Sequence, residues 1–204
     1  MTRAWAIAGA VAALSAAGAV LAAQPPAKGP AKPAKPAKAE DTSKLTIKDI
    51  MDSRVDPAGD FLFGSVVDVS DAKGIHHRQP HTARQWAEVR RQIQILIDAP
   101  DILTLPGRKA ARPEERSRNP AVENQPEQVE RLIAAQRADF VVRAGRLRDA
   151  AKVAMKAADA RNPKALFKAI SGIDKACESC HLHYWYPNDK RAHQAALEEG
   201  GIIP

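Results

Sequence analysis

A chain of 204 residues has room for one domain of ordinary size together with flanking segments. Aromatic residues supply only 4% of it, against an alanine-rich hydrophobic share of 45%, a balance that favours helices and argues against a β-sandwich. The formal charge of +7 falls to +4 when residues 1–43 are set aside, because 26 basic and 22 acidic residues remain; no basic stripe is interleaved with aromatics, which argues against nucleic acid as a partner.

The first residues read as an export signal. Arg3 gives a positive start, Ala4 to Leu21 is an uncharged stretch rich in alanine and valine, and Val20 and Ala22 stand at −3 and −1 of a cleavage site before Ala23. Residues 1–23 therefore predict a signal peptide. The apolar run is also close to the roughly 20 residues that span a bilayer, so an uncleaved anchor is the alternative. Either way the domain is delivered to the periplasmic side. Residues 24–43 contain the repeat QPPAKGPAKPAKPAKAED, in which proline blocks helix and sheet while like charges repel, and this predicts a disordered linker. Its lysines could also hold the chain near an anionic membrane surface.

From Lys44 to about residue 188 the periodicity is helical. A first helix carries Ile47, Ile50, Met51, Ala58, Leu62 and Val66 on one stripe, with Thr46 as N-cap and a kink or short break expected at Pro57. The stretch GIHHRQPHT reads as a loop. A second helix starts near Thr82 and buries Trp86, Val89, Ile93 and Leu96, and residues 98–126 then lose clear periodicity. A third helix opens at Pro126 or Glu127 and runs to about Ala160, with Val129, Leu132, Ile133, Gln136, Phe140, Leu147, Ala151, Ala154 and Ala158 on its inner side; Gln136 reads as a core amide. Asn162-Pro163 is a strong start signal for a fourth helix, which carries Leu166, Ile170, Ile173, Cys177, Cys180 and Tyr184 along one seam. Residues 189–204 form a polar tail. The predicted fold class is all-α, an antiparallel four-helix bundle with both cysteines near the end of the last helix.

The only two cysteines lie in Cys177-Glu178-Ser179-Cys180-His181, a C-x-x-C-H motif. Thiols at i and i+3 are neighbours on a helix surface and can bond the two vinyl groups along one edge of a haem, while the adjacent imidazole binds the iron as proximal ligand. Glu178 and Ser179 are expected to point away and to be free to vary. A dithiol redox centre would set C-x-x-C at a helix start in a βαβ context, and a zinc site would need a second ligand pair, which His181 and His183 could supply although no second cysteine pair exists. With an export signal in front, one covalent haem c per chain is the reading adopted.

These residues resemble the class II cytochromes c, the group of cytochrome c′ and its low-spin monohaem relatives, over roughly residues 44–188. The late position of the motif and Tyr184, three residues after the haem histidine, carry the resemblance. Where the family commonly has Arg or Lys four residues after that histidine, this chain has Trp185. The Tyr184-Trp185-Tyr186 run is expected to pack on the haem edge.

The resemblance implies that the sixth iron ligand decides the function. Low-spin relatives use a methionine of the first helix, and Met51 lies on the inner stripe of that helix. Met51 as distal ligand suits an electron carrier, since a thioether favours reduced iron; Met51 as core filler is the bland alternative. Met155 is less well placed. His76, His77 and His81 read as solvated loop residues, His183 as a surface or propionate-contacting residue, and His193 as part of the tail. The expectation is a periplasmic monohaem electron carrier, not an enzyme, meeting redox partner proteins that Arg108, Lys109, Arg112, Arg116 and Arg118 could steer. The alternative is a five-coordinate, gas-binding haem protein. No acid–base residue is expected over the iron on the first-helix stripe, and the resemblance implies at most a homodimer through the first two helices.

Overall fold

Helix-capping chemistry sets where the fold begins. Thr46 Oγ1 accepts the Asp49 amide and the Asp49 carboxylate accepts the Thr46 amide, both at 3.0 Å, a capping box that starts α1, Ile47–Ile50. In the computed structural model, which describes residues 41–198, the chain passes from α1 through a π-helical turn, Met51–Val55, into α2, Asp56–Phe63, as one helical rod. The expected break at Pro57 takes the form of that π turn just upstream. The Asp56 N–H reaches back to the Met51 carbonyl, and proline is accommodated in the first turn of α2, where an amide hydrogen is not needed. The leader and the linker up to residue 40 lie outside the described residues; the end of the linker is a 3-10 turn, Thr42–Lys44, capped by Asp41.

The expected loop after the first helix is a correction. Residues Val67–Asp71 and Gly74–Arg78 form antiparallel strands β1 and β2, with Val67 opposite Arg78 and Asp68 opposite His77. The Asp71 carboxylate accepts the Lys73 amide (2.7 Å), and Gly74 takes φ +118°, which a side chain would resist. β2 is exposed throughout and β1 is only half-buried, at Val67 and Val69, so the one short Val-Asp-Val alternation is too brief to announce a strand pair.

Thr82 and Gln85 form a second capping box at the start of α3, Ala83–Leu103, which runs on past residue 98, where the periodicity fades. Residues 104–125 are turns tied to their surroundings. The carbonyls of Lys109 and Ala110 accept the amides of Ile47 and Lys48, and the Glu130 carboxylate accepts the Ala110 amide. The long third helix is two helices, α4, Pro126–Ala135, and α5, Arg137–Asp159, because Gln136 leaves the helical conformation at φ −121°, ψ 39°. Asn162 caps α6, Pro163–Tyr184, by accepting the Ala165 amide (3.0 Å), as the sequence predicts. The polar tail contains a further helix, α7, Lys190–Glu198, opened by Asp189 accepting the amides of Arg191 and Ala192.

An antiparallel four-helix bundle is therefore not what the chain forms. Among the described residues there are six helical rods and a two-stranded sheet, and the all-α expectation fails with the bundle. The core lies where α5 packs against α3 and α6, with the first rod closing on α3. Ile50, Leu62, Ile93, Leu96, Leu166 and Ile173 are completely buried there. The alanines of α5, Ala151, Ala154 and Ala158, let its neighbours approach closely. Truncating Ile173→Ala should cost about 2–5 kcal/mol, read as a fall in the urea midpoint at unchanged slope. No described helix is long and apolar enough to cross a membrane.

Candidate functional site

The seam of α6 opens onto an apolar cavity of about 380 Å³, within the roughly 300–1,000 Å³ typical of ligand sites. Cys177, Cys180 and His181 line it from α6, Met51 and Val55 from the π turn, and Phe140 and Leu147 from α5. The loop after α3 forms another wall. Asn124 holds that loop to the end of α6, donating its amide to the Trp185 carbonyl (2.6 Å) and its side chain to the Tyr184 carbonyl (2.9 Å). Four residues singled out in the sequence, Met51, Cys177, Cys180 and His181, thus share one cavity, although Met51 stands 126 positions before Cys177.

The two cysteines form no disulfide, and their surroundings oppose ionisation of the thiols. Burial pushes Cys177 up to about 12, with Cys180 and nearby carboxylates adding to it, and burial pushes Cys180 up to about 11. A dithiol redox centre needs the opposite shift, because the thiolate is the nucleophile. His181 is pushed below the usual imidazole range by burial, which keeps the ring neutral and able to bind a metal.

The ring is also held in place. Trp185 meets it edge-on at a centroid distance of 5.2 Å, and the Tyr186 hydroxyl lies 3.3 Å from Nδ1 while donating to Glu178 Oε1 at 2.7 Å. Glu178 is therefore not a spacer free to vary. Ser179 does not point away either: it is buried, and its backbone carbonyl accepts Arg143 Nη1 at 2.7 Å. Arg143, only 6% exposed, also donates from Nε to Asp139 (2.6 Å), whose carboxylate accepts the Tyr184 hydroxyl (3.0 Å). This network fastens α5 to the motif. Its charged member sits on a face that periodicity assigns to apolar residues, so only the fold reveals it.

The remaining candidates separate cleanly. Met155 packs against the hydrophobic core and is no part of the cavity wall. His76 pairs with Asp71 (3.0 Å) and His77 with Asp68 (2.6 Å), both exposed on the hairpin, while the His81 amide donates to Gln85. His183 bonds Gln136, and His193 bonds the Pro187 carbonyl. Gln136 is exposed at the α4–α5 break rather than a core amide, which corrects the sequence expectation. With His183 turned to Gln136, Cys177, Cys180, His181 and His183 form no closed zinc set; among the described residues no three His, Cys, Asp or Glu side chains are grouped to hold a bare metal ion.

The basic residues after α3 are largely engaged at home. Arg108 donates to the Leu45 carbonyl, Lys109 pairs with Glu130 and Arg112 with Asp49 (both 3.0 Å). Arg116 and Arg118 line the cavity, as does Lys48. Asp56 also lines it, its carboxyl raised by burial and drawn back by His181. An acid on the first rod beside the cavity is a residue the sequence stripe did not reveal, because the stripe was drawn through apolar residues alone while Asp56 shares a face with Lys48 and Asp52. No family model, curated protein or solved structure matches this sequence.

Proposed function

We propose that the chain carries one covalently attached haem c and serves as an exported, periplasmic electron carrier related to the class II cytochromes c. The observation that carries this reading is the meeting of a thiol pair, an imidazole and a thioether at one apolar cavity. The donor set fits the group. Cys177 and Cys180 would hold it through thioether bonds, His181 would ligate the iron on one face and Met51 on the other. Arg116, Arg118 and Lys48 on the cavity wall supply cations for its two propionates. When bound, the haem supplies a one-electron ferric–ferrous couple, with no substrate bond made or broken.

The protein's own contribution is the surroundings. Val55, Phe140 and Leu147 give the cavity an apolar lining that would limit water at a bound iron, and the loop held by Asn124 forms part of the wall. Trp185, 45% exposed and in edge contact with His181, would give a redox partner protein its approach to the haem. Expression alongside a haem-attachment system, followed by an absorption spectrum of the purified protein, tests the reading. Low-spin bands in both oxidation states, with the ferric methionine–iron charge-transfer band, are expected. A high-spin ferrous spectrum that shifts readily with carbon monoxide would replace the carrier by a gas-binding protein. Absence of covalent haem would end both.

A further inference from the structure

The contacts around His181 go further than ligation. A tyrosine hydroxyl has a single hydrogen. Tyr186 gives its hydrogen to the Glu178 carboxylate at 2.7 Å, so toward His181 Nδ1, 3.3 Å away, its oxygen is left to accept. The ring must then carry its hydrogen on Nδ1, which leaves the Nε2 lone pair for a metal. Glu178 lies within the cysteine motif itself and Tyr186 just beyond the end of α6, so one turn of helix and its exit assemble the chain from residues close in sequence. Trp185 also packs edge-on against the imidazole, at 87° to its plane, and touches the Tyr186 ring.

From this geometry we infer that Tyr186 and Glu178 are a positioning pair, which fixes the tautomer and orientation of His181 and makes it a stronger electron donor to bound iron. The inference rests on the haem reading. An imidazole whose distal N–H is drawn toward an anion is the more basic ligand, and a more basic ligand stabilises the oxidised metal. The pair therefore works against the thioether of Met51, which favours the reduced state, and holds the potential below what the two ligands alone would set.

The test compares haem-loaded wild type with Tyr186→Phe and Glu178→Gln. Covalent haem is measured first, by its alkaline pyridine spectrum, then the midpoint potential and the solvent exchange of the His181 Nδ1 hydrogen by NMR. Tyr186→Phe should raise the potential, shifting the equilibrium toward ferrous iron on the order of tenfold, about 59 mV for one electron. Its Nδ1 hydrogen should exchange faster. Glu178→Gln keeps the bonding pattern without the charge and should move the potential the same way by less. If wild type holds haem and both variants keep its potential and exchange rate, the inference is wrong, even if Tyr186→Phe lowers stability. If wild type holds no haem, the reading beneath it fails first, and the pair with it. Should Tyr186→Phe not fold, Glu178→Gln decides alone.

Discussion

Replacing both cysteines, Cys177→Ala with Cys180→Ala, is expected to leave a chain from which any pigment is removed by acid and organic solvent. Wild type should keep its pigment through the same extraction and show the added mass of one haem. Each thiol lies on the cavity wall one helical turn from the other, so a single substitution should retain one thioether bond and an altered alkaline pyridine spectrum. The loss should reach the fold as well. Without the group that fills it, the apolar part of the cavity should admit water or collapse, and the loop pinned by Asn124, which forms one of its walls, is where either is expected. Thermal melts should show a lower, broader transition, and proteolysis should begin between residues 104 and 125. A haem that survives extraction from the double variant would remove the thiols from the site.

How much of this could be read beforehand depended on whether the signal was local. Asn162-Pro163 begins α6 as expected because a cap and an N-terminal proline act within one turn. Thr46 and Thr82 do the same for the first rod and α3. The three motif residues fall on the cavity for the same reason, since a helical seam fixes their direction. What escaped was set by distant partners. Gln136 breaks a helix with neither proline nor glycine nearby, its backbone carbonyl accepting the Phe140 amide and its side chain bonding His183 from α6. The β1–β2 hairpin half-buries only Val67 and Val69 of β1 and exposes all of β2, so a period of two is too short there to be read as a strand pair. Arg143, beneath the motif, is a charge where the pattern asks for an apolar residue, satisfied only by Asp139 and the Ser179 carbonyl. A four-helix bundle was the economical arrangement of the periodic segments. It fails because periodicity says nothing of the joints between them.

Met51→Leu should convert the haem-loaded protein from low-spin to high-spin in both oxidation states, abolish the ferric methionine–iron band and let carbon monoxide bind the ferrous form. The substitution conserves volume, and swaps of this kind usually cost less than about 1.5 kcal/mol, so the fold and haem content should hold. That separation gives the experiment its force, since a spectral change without a stability change belongs to a lost bond and not to lost packing. Met51 stands on the cavity wall between Ile47 and Val55, each four residues away on the same face of the rod, and its carbonyl accepts the Asp56 N–H at the π turn. The midpoint potential should fall in any residual six-coordinate form, because a water or hydroxide ligand does not favour ferrous iron as a thioether does. An unchanged spectrum would return Met51 to the role of core filler. A wild type already high-spin before any substitution would show that the thioether never reaches the iron, and the apolar wall of Val55, Phe140 and Leu147 would then shield a gas-binding face.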